Sequence, residues 1–319
     1  MKNIYINSQG GLGFNLALSH IAKEFKQIYD KVCVLSAYFD VFDACPYVDY
    51  VYKPNEIRDF IFDAKRDDAK LICERMYDTE DFIYKKLSYA DAWRKAAGLA
   101  VKGNTEGSDT KSELYPLKKY PNLQNFVDGI LKEIKSKKKK NFVIMQFEGG
   151  QSPLIEVPMT KDGKRDWSVI PTNYENEPLK RHYPFEKAQD FVKLFEKAHP
   201  DTAIIMYQLP NEHRYEGTFN FEAPYLSYYL LAQNELCLGT VSIDSSLQHL
   251  VAGVTKSVVI WGHSLPLSFG YDYNKNLVQR CNRDDILYFS ALGPSGARID
   301  YIEPKVLLKE VNDYIFSKK

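Results

Sequence analysis

The sequence lacks net charge, has few cysteines, and contains no long apolar run. Lys and Arg number 42, as do Asp and Glu, in 319 residues, which excludes a chain that is basic as a whole, as a genome-coating protein would be. A local basic stripe stays open. The five cysteines (33, 45, 73, 237 and 281) form no Cys-x-x-Cys pair. An odd, scattered count in a chain of this size argues against a disulfide framework and for a reducing cytoplasm. No stretch approaches the roughly 18 apolar residues that would suggest a membrane span. The opening MKNIYINSQGG has too short an apolar run for a signal peptide. What is present is an ordinary globular composition, 45% apolar and 26% charged, with length for two domains. The aromatic content, 14%, reads mainly as core filler.

The chain divides into two strand–helix halves. Residues 3–7 (NIYIN) are expected as a buried strand. A glycine-rich turn, Gly10-Gly11-Leu12-Gly13, precedes FNLALSHIAKEFKQIY, whose apolar residues recur near helical spacing. Strands are expected at 31–36, 49–52 and 69–76, helices at 89–99 and 123–134, and a polar loop at 102–121. The run SKKKK (136–140) reads as a solvated linker. A new strand, 142–147, restarts the pattern. After a long polar loop, 148–180, come a helix from Pro184, a strand at 203–207 and a helix at 224–233. A strand at 236–243, a helix at 246–253, a strand at 257–261 and a final helix from Pro304 complete it. Such alternation means parallel sheets with crossover helices. The expected fold is α/β, with two doubly wound, Rossmann-like domains (1–138 and 139–319) facing a cleft. Ligands of such folds bind outside the carboxyl ends of the strands. The last helix, 304–317, could pack back on the first domain.

Two motifs carry chemistry. Glycines at 10, 11 and 13 permit a tight turn and let amide N–H groups approach a ligand. A dinucleotide fingerprint would need Gly or Ala at 16, where this chain has Leu16, and an acid ending the second strand, where the nearest is Asp40. The second motif is Asp244-Ser245-Ser246-Leu247-Gln248-His249, where a strand hands over to a helix. Unpaired N–H groups and two hydroxyls there would suit a diphosphate. The plainer explanations are a helix N-cap for Asp244 and a packing residue for His249.

In this order, about 230 residues apart, the two motifs resemble those of the heptosyltransferase-like glycosyltransferases, glycosyltransferase family 9, which have the GT-B fold. That family carries a G-G-x-G-D loop and a D-[ST]-G-x-x-H block before an apolar strand ending in Gly. Here VVIWG follows the second block. Arg181-His182-Tyr183-Pro184, Pro46-Tyr47-Val48-Asp49 and the segment 90–99 resemble further family elements. The resemblance implies an inverting transfer, without metal or other cofactor, from a nucleotide-diphosphate sugar to an acceptor hydroxyl. Asp244, Ser245, Ser246 and His249 would hold the donor's diphosphate region, and Arg181 would balance charge on the leaving group. Gln208, Asn211 and Glu212 would touch the base or ribose. Gly10, Gly11, Gly13 and Asn15 would form the loop near acceptor and phosphate.

Two departures stand out. The family's presumed base, an Asp after the third glycine, is Phe14 here, and the family's Gly in the second block is Ser246. An inverting transfer needs a base near the acceptor hydroxyl. Asp78 and then Asp40 are the candidates, although a solvated loop acid is the plainer explanation of each. The acceptor expected is a glycan or lipopolysaccharide core, or else a modified DNA base. Lys161, Lys164, Arg165 and Trp167 would suit nucleic-acid contacts. The alternatives are a nucleotide-sugar-binding protein without turnover and an NAD(P)-linked enzyme.

Overall fold

The computed structural model describes residues 2–76, 79–83, 87–103, 106–149, 182–208, 212–262, 266–278, 299 and 302–317. The chain opens with β1 (Asn3–Ser8), α1 (Leu12–Ser19) and the single turn α2 (Ala22–Phe25). Next come β2 (Lys31–Ser36), α3 (Phe39–Asp43), β3 (Tyr50–Tyr52), α4 (Ile57–Arg66) and β4 (Lys70–Ile72). The short helices α5 (Glu80–Ile83), α6 (Tyr89–Ala97) and α7 (Pro116–Lys119) follow. The four strands form a parallel sheet in the order β3-β2-β1-β4. Its central strand is apolar on both faces because helices cover both. Ile4 and Ile6 pack with Leu16 of α1, while Tyr5 packs with Cys33, Tyr52 and Phe60 of α4.

The helix α8 (Leu123–Ser136) leads to the second sheet. That half runs β5 (Asn141–Gln146), α9 (Phe185–Ala198), β6 (Thr202–Met206), β7 (Phe219–Asn220), α10 (Tyr225–Ala232) and β8 (Cys237–Ile243). It continues with α11 (Ser246–Leu250), β9 (Ser257–Trp261), α12 (Pro266–Phe269), β10 (Lys275–Val278) and α13 (Pro304–Tyr314). Its strands are parallel, in the order β10-β9-β8-β5-β6-β7. All carboxyl ends of each sheet therefore share one rim, where the connecting turns lie.

Several elements differ from expectation. Helix α1 begins at Leu12, so Gly13 lies in its first turn. The strand expected over 69–76 stops at Ile72, and the next three residues are exposed, because β4 is an edge strand with only β1 beside it. Helix α4 lies outside the expected elements although Ile57, Phe60, Ile61 and Ala64 stand at helical spacing, and the edge strands β7 and β10 are too short to stand out in sequence. The last helix does not return to the first half. Leu307, Val311 and Ile315 instead bury against Phe191 and Phe195 of α9 and the strands beneath, and His199 stacks on Phe316 at 3.8 Å. The apolar stripe of α13 matches the stripe of α9 on the second sheet's outer face.

The halves are not merely tethered. A single apolar core runs from Ile4 and Trp93 through Phe142 to Leu247 and Trp261. The segment after α6 also straps them together. Ser108 N–H donates to Gly270 O (2.8 Å), Asp272 N–H to Ser108 O (3.1 Å), and Ser112 N–H to Ala252 O (2.8 Å). Among the described residues no helix is long and apolar enough to cross a membrane.

Candidate active site

On the first rim, the chain leaves β1 through Gly10, whose φ of +113° is a backbone state that side chains disfavour. Gly11 is the N-cap of α1. Asn15 is fully buried and shapes this turn. Its Oδ1 accepts from Ser8 Oγ at 2.7 Å and Ser36 Oγ at 2.6 Å, while its Nδ2 donates to Gly11 O at 2.9 Å and Gly10 O at 3.3 Å. The amide thus ties the ends of β1 and β2 to the glycine loop. Its polar atoms are committed to holding the glycine turn.

On the second rim, Asp244 and Ser245 lie between β8 and α11. The N-cap of α11 is Ser245, not Asp244, and the Ser245 side chain makes no capping hydrogen bond among the described residues. Asp244 instead accepts from Gln248 Nε2 at 2.6 Å. Ser245 Oγ accepts from Gln146 Nε2 at 3.2 Å, and Gln146 Oε1 accepts the Leu247 N–H at 3.2 Å. Gln146 therefore braces this turn from the end of β5. Ser246 Oγ bonds the Tyr207 hydroxyl at 3.1 Å, linking the loop to the end of β6.

The two rims meet where α1 crosses α11. A Cβ on Gly13 would lie 2.9 Å from His249 Cδ2 and 3.7 Å from the Ser246 Cα, so only glycine fits undisturbed. His249 is buried, with Nδ1 bonded to the Tyr271 hydroxyl at 2.8 Å, and that hydroxyl meets His20 Nδ1 at 3.1 Å. The single phenol proton serves one imidazole, so the other must donate its own. Burial, and then the nearby His249, pushes the His20 pKa down to about 3. Its ordinary value is 6.5. The neutral form thus stabilises the fold fully above pH 6.5, and that contribution falls as pH drops from 6.5 toward 3. Urea midpoints should decline from pH 7 to pH 5 in the natural chain and decline less in His20→Gln. Equal slopes would contradict the assignment.

Phe14 does not face an open cleft. It packs on Tyr89 (5.3 Å between centroids) and edge-on to Phe269 of the second half (5.7 Å), beside Phe82. Asp40 stands in the first turn of α3, half-buried, and it adds to burial in raising the Tyr225 phenol of α10. Asp78, Arg181, Asn211 and the basic stretch at 161–167 lie outside the described residues. Gln208, with its oxygen toward Arg214 and its nitrogen toward the His213 carbonyl (3.1 Å), follows β6. Glu212 lies near enough to Tyr207 and Tyr215 to raise both phenols further, after burial has done most of it.

The structure also brings together residues not singled out in sequence. Glu148 Oε1 accepts from His213 Nδ1 (2.8 Å) and the Tyr215 hydroxyl (2.9 Å), and Phe185 stacks near His213. Tyr207 and Gln146 end apolar strands, and a polar residue closing such a strand was the available signal. Among the described residues, no group of three or more His, Cys, Asp and Glu is arranged to hold a metal ion.

No protein-family model and no curated protein matches the chain. Solved structures do. The E. coli ADP-heptose lps heptosyltransferase II superposes with a TM-score of 0.63 at 11% identity, covering 99% of both chains. A glycosyl transferase family 9 protein from Veillonella parvula DSM 2008 gives 0.63 at 10% identity, over 99% of this chain and 98% of the other. The iron-containing dodecameric glycosyltransferase TibC from enterotoxigenic E. coli H10407 gives 0.60 at 10% identity, over 98% of this chain and 75% of the other. At such identities the likeness establishes the fold: two Rossmann-like units arranged as in the GT-B glycosyltransferases.

Proposed function

We propose that the chain transfers a sugar from a nucleotide-diphosphate sugar to an acceptor hydroxyl, with inversion and without a metal. The observation that carries this reading is the meeting of two strand-end turns across one cleft. The Asp244–Ser246 turn of the second sheet abuts the glycine-rich helix start of the first at Gly13. In this reading Ser245, Ser246 and Arg181 hold the diphosphate, Asp244 and His249 shape the loop that holds it, and Gln208 and Glu212 face the nucleoside. The acceptor oxygen attacks the anomeric carbon, the bond to the diphosphate breaks, and the electron pair leaves with the nucleoside diphosphate. Fixed donors at the loop stabilise that leaving charge. The acceptor's proton goes to Asp40 or Asp78, because Phe14 cannot take it. A glycan core is the favoured acceptor class, by likeness to a neighbour named for its lipopolysaccharide ("lps") substrate.

Binding without turnover is the second reading, favoured by the packing of Phe14 into an aromatic cluster. An NAD(P) site is disfavoured by geometry. The face of Gly13 that a pyrophosphate would approach is covered by His249.

Thermal shift with ADP-, GDP-, UDP- and CMP-linked sugars should show stabilisation by one of them, with ADP-sugars tried first. Arg181→Ala should weaken that donor's binding about tenfold or more through loss of a charged contact, and Asp244→Ala by a similar factor through loosening of the loop that Asp244 holds with Gln248. Stabilisation by NAD(H) alone would sink the transferase reading. Wild-type donor affinity in both variants would sink the site assignment.

A further inference from the structure

We propose that two copies of the chain join through the open edge of β4, continuing the first sheet across a two-fold axis with the flanks of their α4 helices packed above the seam.

The sheet face opposite α1 is thinly covered. Tyr5, Cys33, Leu35 and Tyr52 of the strands are sealed there by Phe60 and Ala64 of one helix, α4. Leu71 of β4 stands on that same face, because it pairs with Tyr5 and paired residues of a ladder point the same way. It is nonetheless 43% exposed. The geometry of α4 accounts for this. On a helix with 3.6 residues per turn, Phe60 and Ala64 point into the sheet, Asp63 lies on one flank, and Ile57 and Ile61 lie on the other. The Asp63 flank is the β3 side, since the Tyr52 hydroxyl donates to Asp63 Oδ2 at 2.6 Å. The Ile57–Ile61 flank is therefore the β4 side, and the two residues are 47% and 49% exposed.

Beside this flank, β4 is an open edge. Among the described strands it pairs with β1 alone, and Lys70, Leu71, Cys73, Glu74 and Arg75 are all exposed. Such an edge is a template for another strand.

Two observations identify the partner. A lipid surface would leave the edge's N–H and C=O groups unpaired. Residues 56–70 also hold five acids against four bases, so no basic surplus draws the segment to anionic lipid. A second copy, in contrast, matches the edge in charge. Antiparallel pairing about Ile72 sets Lys70 of each copy opposite Glu74 of the other, and Leu71 opposite Cys73. Opposite charges across a ladder attract, and the two-fold axis makes the match twice. An axis normal to the sheet keeps both α4 helices on one side, so Ile57 and Ile61 of each copy close over the Leu71–Cys73 pairs. The seam thus pairs backbone and buries apolar side chains together. Ile4 and Ile6 pack with Leu16 of α1 on the opposite face, so the glycine turn and the cleft lie outside it.

Sedimentation equilibrium of the full chain at micromolar concentrations is the test, and the expected species is a reversible dimer. Leu71→Lys should keep the fold, read by circular dichroism, and weaken the dimer about tenfold or more. Glu74→Lys should weaken it by a similar factor, about tenfold, because Lys then faces Lys twice. The double variant Lys70→Glu, Glu74→Lys reverses both charges and should restore the dimer. In Leu71→Cys the new thiol stands opposite Cys73 of the other copy, so mild oxidation should link the chains covalently. Adding Cys73→Ser should abolish that link. The cross-link decides the case if Leu71→Lys fails to fold. A natural chain that stays monomeric at tens of micromolar would overturn the proposal, as would a dimer that Leu71→Lys leaves intact. Failure of the charge reversal to restore pairing would overturn the self-matched edge. Binding of a monomeric natural chain to phosphatidylglycerol vesicles, lost in Leu71→Lys, would give this face to lipid instead.

Discussion

Replacing Arg94 with Ala should cost about 3–5 kcal/mol of stability in urea unfolding at pH 7. Arg94 is wholly buried in α6 and stands at the centre of three carboxylates. Its Nε and Nη2 grip the two oxygens of Glu24 at 2.8 and 2.7 Å. Its Nη1 donates to Asp91 at 2.9 Å and its Nη2 to Asp109 at 3.0 Å. Asp91 also accepts the backbone N–H groups of Lys102 and Gly103, both at 3.0 Å. The cluster pins α2, α6 and the start of the interdomain strap to one another. Truncation would leave several part-buried carboxylates facing one another without their cation, which is why loss of one partner costs more than the pair was worth. Burial alone would raise Asp109, but Lys102 and Arg94 overcome it and bring the carboxyl to about 2, against an ordinary 3.8. That contribution is complete above about pH 4 and is lost as pH falls toward 2. Lys102→Ala is the control. Its side chain is 44% exposed, so its ion pairs are screened and their loss should cost under about 1 kcal/mol. An Arg94→Ala loss no larger than that of Lys102→Ala would refute the picture of a buried electrostatic joint.

Gly13→Val should be the second large effect, and it should reach both stability and donor binding. Even the first carbon of any side chain at this position would stand 2.9 Å from His249 Cδ2. His249 cannot easily yield, because Tyr271 and, through it, His20 hold its ring. Overpacking of this kind costs about 1–3 kcal/mol. The displaced element would be α11, whose first residue is Ser246, so donor affinity should fall with stability. Gly11→Ala is the matched comparison, since a Cβ there meets nothing within 4 Å. Equal stability and donor affinity in the two variants would show that α1 and α11 do not depend on this contact.

The parallel α/β plan was legible because its strands are short apolar runs and its helices carry periodic stripes. The turn between β8 and α11 was legible because acid, hydroxyls and His stand together in six residues after an apolar run. The acceptor side was not. Phe14 announced that a family-type base is missing, and nothing local could say what replaces it. Asn15 looked like a loop residue near the ligand, and only its four hydrogen-bond partners reveal a clamp. His249 reads in sequence as a ligand contact or a packing residue, and only the fold shows its ring held by the Tyr271 hydroxyl.

By itself, then, the sequence determined the two-sheet α/β plan and the strand-to-helix turn at Asp244–Ser246. Local periodicity and adjacent residues are enough for both. Only the tertiary structure decided what the glycines are for, where Arg94 finds its carboxylates, and which side chains meet across the cleft. Those facts arise when segments as far as 251 residues apart are pressed together, and burial then makes each unpaired charge or misplaced methyl expensive.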